Sequence, residues 1–397
     1  MKKVVIIGGG PAGLFSAYLL LKKGFKVELY DHSSAFGKKF LVAGNGGLNL
    51  THSEELSSFT EKYNPHEKLF GEMINEFSPE DLRGFCKELG VETFIGSSGR
   101  IFPKKLKAAE ILISWLKSLK ENPNFSQHLG HHFNSLLNSN KVEFLVEKKP
   151  LEVEADFFIF AMGGASWSKT GSKGDWAPSF IEAGIKLAPF LPMNCGFERS
   201  WSELFIKKID HTALKNIALE FKGVKVRGEA MLTPFGIEGG GIYALSKAIR
   251  DEILNKGSAE VLLDLKPGLS RDEIEKKINA QPAKASLSNI VRKALGFDPA
   301  VFILLKELHP GLKKEEVSEV VKELRLELIG IRPIDEAIST SGGVLFSEVS
   351  SSLELKSRPG NYIIGEMLDF EAPTGGYLLQ GCFSSAYRAV AAIGLHT

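Results

Sequence analysis

Gly8, Gly10 and Gly13, in the run Gly8-Gly9-Gly10-Pro11-Ala12-Gly13, give the spacing G-x-G-x-x-G, and an acid, Asp31, follows 18 residues after the last of them. Glycines so spaced bring a backbone up to a pyrophosphate. The first permits a tight turn, the second lets the ligand approach, and the third lets a helix pack against the preceding strand. Pro11 and Ala12 open that helix, whose unpaired amides and positive dipole end face an anion. The Asp31 carboxylate can accept hydrogen bonds from an adenosine ribose, and its charge disfavours a 2′-phosphate. A ligand-free glycine turn is the plainer alternative, and the surrounding elements argue against it. Val4 to Ile7 is a continuous apolar run, the pattern of a parallel strand buried on both faces. Leu14 to Lys23 reads as a helix stopped by Gly24, and Lys26 to Tyr30 as a second strand. Strand, glycine turn, helix, strand and acid together make a dinucleotide-binding unit.

Other segments also look built for a ligand. The stretch from Gly37 to Thr51 reads as a long loop carrying Lys38, Lys39, Asn45, Gly46, Gly47 and Asn49. Phe157 to Met162, which includes Ala161, reads as a strand running into Gly163-Gly164. Residues 232–241 form another glycine loop around Glu238. Near the C-terminus, Gly365-Glu366 and Asp369 lead to Thr374-Gly375-Gly376-Tyr377-Leu378 and an apolar helix towards Ile393. The glycine fingerprint alone does not separate FAD from NAD. Only one such fingerprint occurs, and ligand-like segments recur in the middle and at the end of the chain, as a long dinucleotide spanning the fold requires. Both observations favour FAD.

Together these segments resemble the BaiN/YhiN-type flavoproteins, nearly end to end. The most specific parts are residues 37–51, Gly99-Arg100-Ile101-Phe102-Pro103, Gly171 to Ala177, and the C-terminal Gly365-Glu366, Asp369 and Thr374-Gly375-Gly376-Tyr377 with Gln380. The chain departs from the family where a glycine run is followed by Arg-Cys-Asn; here Asn45-Gly46-Gly47-Leu48-Asn49 stands instead. The loop Gly236-Ile237-Glu238-Gly239-Gly240 also differs, so this is a divergent branch. The resemblance implies non-covalent FAD, with the C-terminal segment over the isoalloxazine ring. Gly375 and Gly376 would present amides where negative charge grows on reduction, and Asp369 or Glu366 would accept from ribityl hydroxyls. Lys38 and Lys39 are candidates to neutralise the pyrophosphate.

The fold class expected is α/β: a discontinuous Rossmann-type FAD-binding domain, residues 1–190 and 333–397, with an inserted domain at 191–332. Within the insert, 193–255 reads as β-rich, from runs such as Ile217–Phe221 and Gly223–Met231. Residues 270–330 read as helical, the stripe Val317, Val320, Leu324, Leu328 recurring at helical spacing. The region His128-Leu129-Gly130-His131-His132 reads as a solvated loop, not a metal site, since no carboxylate or cysteine stands beside it.

The bulk properties narrow the function. Among 397 residues, 49 Lys plus Arg against 48 Asp plus Glu leave a net charge of +1, without the global footprint of a constitutive nucleic-acid binder. The 40 glycines exceed the usual share of roughly 7% and cluster in short loops. Three distant cysteines, Cys86, Cys195 and Cys382, fit a reducing cytosol, and with neither a signal-peptide pattern nor a membrane-length apolar run a cytoplasmic protein is expected. The leading expectation is an FAD-dependent oxidoreductase of a small substrate, with NAD(P)H as a possible donor and Arg100, Asn49, Glu238 and Tyr377 on the substrate side. Two alternatives stand beside it. One is an RNA-modifying flavoenzyme reducing a uracil in ribosomal RNA, with Lys104, Lys105, Lys107 and the insert's Arg271, Lys276, Lys277, Lys284, Arg292 and Lys293 facing RNA. The other is a non-catalytic flavin sensor. The sequence names neither substrate nor oligomeric state.

Overall fold

The computed structural model describes residues 1–44, 47–282 and 284–395. The chain divides into two compact units, Met1–Leu191 with Ser339–Thr397, and Pro192–Ile338.

In the first unit the apolar runs form a parallel sheet of five strands among the described residues: β1 (Lys3–Ile7), β2 (Lys26–Asp31), β3 (Phe125–Leu129), β4 (Phe157–Phe160) and β5 (Asn361–Ile363), in the order β5-β4-β1-β2-β3. All four pairings are parallel, with Ile7 opposite Tyr30 on one side and Phe160 on the other. Val4, Val5, Ile6, Phe158, Ile159 and Phe160 are fully buried, which is why these strands are apolar throughout and do not alternate. From β1 the chain moves to β2 on one side, while β4 lies on the other. The carboxyl ends of β1 and β4 therefore flank a topological switch point, where open α/β sheets place their ligands.

Helix α1 (Pro11–Lys22) links β1 to β2, and the long helix α3 (Tyr377–Gly394) packs beside it. Phe15 of α1 meets Phe77, Phe85 and Phe383 with ring centroids 4.8 to 4.9 Å apart. This aromatic knot fixes α3 against the sheet layer. A second anchor is Arg388 on α3, nearly buried, whose guanidinium donates to Glu76 at 3.0 and 2.6 Å and to the Ser351 carbonyl at 3.2 Å.

Three segments differ from the sequence expectation. The stretch 37–51 is not all loop: α2 (Lys38–Ala43) occupies its first half, started by Gly37 at φ 72°. Asn45 and Gly46 lie outside the described residues. The His128 region is not a solvated loop either. His128 and Leu129 end β3, and His132 opens an antiparallel meander (His132–Asn138, Lys141–Val146, Lys149–Glu154) that crosses from β3 towards β4. The His128 ring stacks on Tyr30 at 4.2 Å, and Tyr30 stacks on Phe144 at 4.5 Å. Burial holds the His128 imidazole below its ordinary pKa.

The third correction is in the second unit. Its antiparallel sheet of seven strands runs, in order, Leu324–Leu328, Ala259–Asp264, Thr212–Phe221, Val224–Thr233, Gly236–Glu238, Phe197–Glu198 and Gly330–Ile331. Within the region 270–330 read as helical, the helix that carries Val317 and Val320 stops at Lys322, and Leu324–Leu328 is a strand paired with Ala259–Leu263. Leu324, Leu326 and Leu328 are buried while Arg325 and Glu327 face out, so Leu-Arg-Leu-Glu-Leu obeys a period of two. The helical stripe had borrowed two members of that alternation. The remaining helices, Arg271–Asn279, Leu287–Leu295 and Pro299–Leu308, fall where a helical region was expected.

Candidate active site

The glycine fingerprint sits at the switch point, and its three glycines are there for different reasons. Gly8 has φ 108°, and a Cβ on it would lie 2.3 Å from the Ala161 carbonyl oxygen. A Cβ on Gly13 would lie 1.9 Å from the Gly8 carbonyl oxygen. The fold itself demands those two. Gly10 is different: its backbone, φ −81° and ψ −176°, suits any residue, and a Cβ there would meet nothing within 4 Å. No protein atom within 4 Å meets a Cβ on Gly10, so the fold leaves open space there, on the cleft. Gly10 caps α1, whose first-turn amides point into the same space.

The wall opposite is built from the other sheet ends. Gly8, Gly10, Pro11, Ala12, Asp31, Lys38, Lys39, Ala161, Gly163, Gly365 and Glu366 all line this one cleft. Asp31 accepts from the Gly9 N–H and the Ser33 N–H, each at 2.7 Å. It thereby ties the glycine turn to β2, and a carboxylate with two acceptors engaged keeps lone pairs for a ribose hydroxyl. Lys39 Nζ donates to Glu366 at 3.0 Å and to Ser166 Oγ at 2.9 Å. Glu366 in turn accepts from the Thr340 N–H at 3.0 Å, and Thr340 Oγ1 accepts from the amides of Ala165 and Ser166. A Cβ on Gly164 would lie 2.4 Å from that Thr340 oxygen, so Gly164 supports the wall and does not line it. Lys38 lines the cleft with no ion pair among the described residues. An anion-ready helix end, a free cation, a ribose-type acid and a vacancy at Gly10 fit FAD.

Gly375, Gly376, Tyr377, Leu378, Asn49, Gly47 and Asp369 do not line that cleft. Several of them gather in a second cluster at the start of α3. Five residues along that helix from Tyr377, about 7.5 Å of axial rise, Cys382 stands on the cleft wall, so one rigid element joins the two places. Gly376, at φ 92°, lies so close to Thr51 that a Cβ would fall 2.5 Å from the Thr51 Cα. Tyr377 is buried, its ring stacked on His52 at 5.7 Å and met edge-on by Phe59 at 4.8 Å. Burial and the Glu54 carboxylate push its phenol above the ordinary value, while Arg100 opposes them. Arg100 is exposed and sits opposite His52 in the antiparallel strands Thr51–His52 and Arg100–Pro103. Asn49 is differently employed: its Nδ2 donates to the carbonyls of Thr51 (2.8 Å) and Ile101 (3.2 Å), which leaves it no free donor. Glu238 belongs to the second unit, paired with Met231 at the end of a short strand.

The sequence reading overlooked His32, Ser33, His131, His132, Gly171, Ser172, Trp176 and Cys382, all of which line the cleft. The signal for some was present, because residues just past the ends of parallel strands stand at the binding edge; His32 directly follows β2 and His131 lies two residues past β3. The segment 170–176 could not be placed, since it closes on the site only through tertiary contacts such as Trp176 Nε1 to the Gly163 carbonyl at 2.9 Å.

No helix among the described residues is long and apolar enough to cross a membrane. Comparison with known proteins agrees with the geometry. The chain is similar to a 3-dehydro-bile acid delta(4,6)-reductase of Clostridium scindens, 25% identical, with 98% of each chain covered. It is also similar to a ribosomal RNA dihydrouridine synthase of Haemophilus influenzae, 24% identical, again with 98% of each covered. Among solved structures, the 3-ketosteroid delta1-dehydrogenase of Sterolibacterium denitrificans shares the fold, at TM-score 0.56 and 12% identity over the full length of both chains. The HI0933-like protein Rossmann domain matches residues 2–392. The chain therefore belongs to the HI0933-like family of Rossmann-fold, FAD-dependent oxidoreductases.

Proposed function

We propose that this enzyme adds two hydrogens across a carbon–carbon double bond conjugated to a carbonyl, in a small-molecule substrate, with NAD(P)H as the electron donor. The observation that carries the cofactor half is the helix start at Gly10, which lines the cleft and has no protein atom within 4 Å of a built Cβ, leaving room for a phosphate against the α1 amides. The substrate half rests on the names of the relatives, a delta(4,6)-reductase and a dihydrouridine synthase. Both names describe saturation of a double bond.

In this reading the α1 amides and Lys38 hold the pyrophosphate, Asp31 holds the adenosine ribose, and Glu366, oriented by Lys39 and Thr340, accepts from the ribityl chain. Gly47, Asp369, Gly375, Gly376 and Leu378 shape the isoalloxazine end, where helix-start amides favour developing negative charge. FAD bound there supplies the hydride chemistry. Arg100 orients an anionic or carbonyl oxygen of the substrate, and Tyr377 handles the proton. Three cysteines that are free among the described residues support a reducing, cytoplasmic setting.

The test is a visible spectrum of the purified protein followed by anaerobic NADH or NADPH. Flavin bands, FAD on denaturation and bleaching by a nicotinamide are expected. A colourless protein that cannot be reconstituted refutes the cofactor assignment, and flavin that no nicotinamide reduces refutes the donor.

A second reading, reduction of a uracil in RNA, draws on the ribosomal RNA synthase names and on Lys208, Lys215, Arg227 and Lys266 around adjoining grooves of the second unit. Of the lysines near Arg100, Lys104 pairs with Glu92 and Lys105 with Glu110, which weakens that face as an RNA surface. Salt-dependent binding of structured RNA, steep in log[salt], would favour this second reading over the first.

A further inference from the structure

Three histidines on the cleft of the first unit take no part in the chemistry proposed above: His32, His131 and His132. Two strand ends bring them together. Past their last paired residues β2 and β3 stay joined, the His131 N–H donating to the Asp31 carbonyl at 3.0 Å and the Gly130 N–H to the Ser33 carbonyl at 3.2 Å. The His32 and His132 rings consequently stand 5.6 Å apart, inclined at 50°. His32 is held by its neighbours: its Nδ1 lies 3.5 Å from Asp31 Oδ1 and its Nε2 3.4 Å from Ser33 Oγ. The chain also turns against it at Gly171, φ 106°, where a Cβ would fall 2.9 Å from His32 Nε2. His132 is exposed. His131 is packed edge-on to Tyr30 at 5.3 Å and to His128 at 5.5 Å. Its Nδ1 meets the Leu129 carbonyl oxygen at 2.8 Å. A carbonyl only accepts, so Nδ1 carries the proton, and the neutral ring presents Nε2 as an acceptor. The cleft is thus divided along its length. Its two lysines among the described residues, Lys38 and Lys39, both stand on α2, while the ends of β2 and β3 carry imidazoles. Phosphate charge belongs at the first place, and a flat nitrogen heterocycle suits the second.

We propose that these three histidines form a pocket for the adenine of the cofactor: His32 and His132 stack against the base, and His131 Nε2 accepts from its exocyclic amine. The inference rests on the flavoenzyme reading above and deepens it. The acid assigned there to the adenosine ribose, Asp31, immediately precedes His32, so a ribose on Asp31 puts its base within reach of the imidazoles. Stacking on an aromatic ring favours any base, because every base has a π face. The acceptor at His131 adds the selection. An amino group at the purine 6-position donates to it, whereas a carbonyl there leaves two acceptors face to face and both unpaired. Adenine is therefore preferred to hypoxanthine, and FMN, which has no adenosine, is indifferent to all three residues.

The experiment is a fluorescence titration of the full chain, dialysed free of flavin, with FAD and with FMN. His32→Ala and His132→Ala are each expected to weaken FAD about tenfold and to leave FMN binding and the thermal melt unchanged. His32→Phe and His132→Phe, which keep a stacking face, should restore most of the affinity. Unchanged FAD affinity in either alanine variant overturns the pocket. An equal loss for FMN overturns it too, since it marks the rings as props of the fold. The selection is read separately, by calorimetry of AMP and of IMP on the wild type at pH 8, with AMP expected to bind at least about tenfold more tightly. Equal binding, or a preference for IMP, overturns the role of His131. A wild type that binds no flavin yet binds AMP with that preference counts against the flavoenzyme reading and leaves the pocket standing. One that binds FAD with no dependence on the histidines does the reverse.

Discussion

At the scale of single residues, the three fingerprint glycines separate into those the fold requires and the one a ligand requires, and substitution can tell them apart. Gly13→Ala drives a methyl into the Gly8 carbonyl, 1.9 Å away. Overpacking against backbone that cannot yield should cost about 3 kcal/mol or more, visible as a lower urea midpoint with or without FAD. In Gly10→Val the added Cβ meets no protein atom within 4 Å. The variant should therefore fold like wild type in a thermal melt yet bind FAD at least about tenfold more weakly by fluorescence titration. A melt lowered as far as in Gly13→Ala would contradict this account of Gly10. The cysteines give a second residue-scale expectation. Burial pushes Cys86, Cys195 and Cys382 up to about 12, with Glu366 adding to the effect at Cys382. The thiolate is the reactive form, so iodoacetamide at mild alkaline pH should label none of the three in the native protein and all three in urea, as read by mass spectrometry.

At the scale of elements, α3 puts Cys382 on the cleft wall and is anchored away from it. The Phe15 knot grips its middle, and Arg388 ties its far end to the helix Glu67–Glu76. Arg388→Met removes the tie but keeps most of the apolar stem, so the loss should be about 1–3 kcal/mol, with FAD affinity reduced because Tyr377 and Cys382 ride on the same helix. A variant with wild-type stability and wild-type affinity would show the tie to be incidental. In the second unit, the strand Leu324–Leu328 rests on the period-two burial of its leucines. Leu326, fully buried, should not tolerate Leu326→Lys, expected to cost about 3–5 kcal/mol, whereas Glu327→Gln on the exposed side, which loses only an ion pair with Arg199, should stay within about 1 kcal/mol. The two urea midpoints measure this directly.

At the scale of the whole molecule, the titrations add up to a lability on the alkaline side. Cys86, Cys195 and Cys382 have an ordinary value of 9.0 and rise to about 12, and Tyr243 and Tyr362 rise from 10.0 to about 12. Each is raised in the folded state, so each contributes stability that is complete below its unfolded value and lost as pH climbs through the folded value. Stability should begin to fall near pH 9 and drop steeply towards pH 12, followed by urea midpoints across that range. FAD acts in the opposite sense, stabilising the state that binds it by mass action. The melting temperature should therefore rise with added FAD in wild type and not in Gly10→Val.

The sequence by itself determined the dinucleotide unit, the cofactor class and the family, because those depend on local matters: glycine spacing, an apolar strand, a helix start and an acid at the next strand's end. It also singled out Asp31, which lines the cleft, and the Gly375-Gly376-Tyr377 turn, which does not. The period of a hydrophobic pattern was legible where the element was long and misleading where two elements abut, as at Val317 to Leu328, since three or four residues fit either repeat. Tertiary structure alone decided that Gly10 is empty-sided while Gly8 and Gly13 are crowded. It alone employed Asn49 in holding backbone carbonyls, put His32, His131 and Trp176 on the cleft, and brought His52 to Tyr377 across more than three hundred positions of chain. Such pairings come from parallel strands and a returning C-terminal helix, and no local physics within a stretch of sequence specifies which distant residue will close the site.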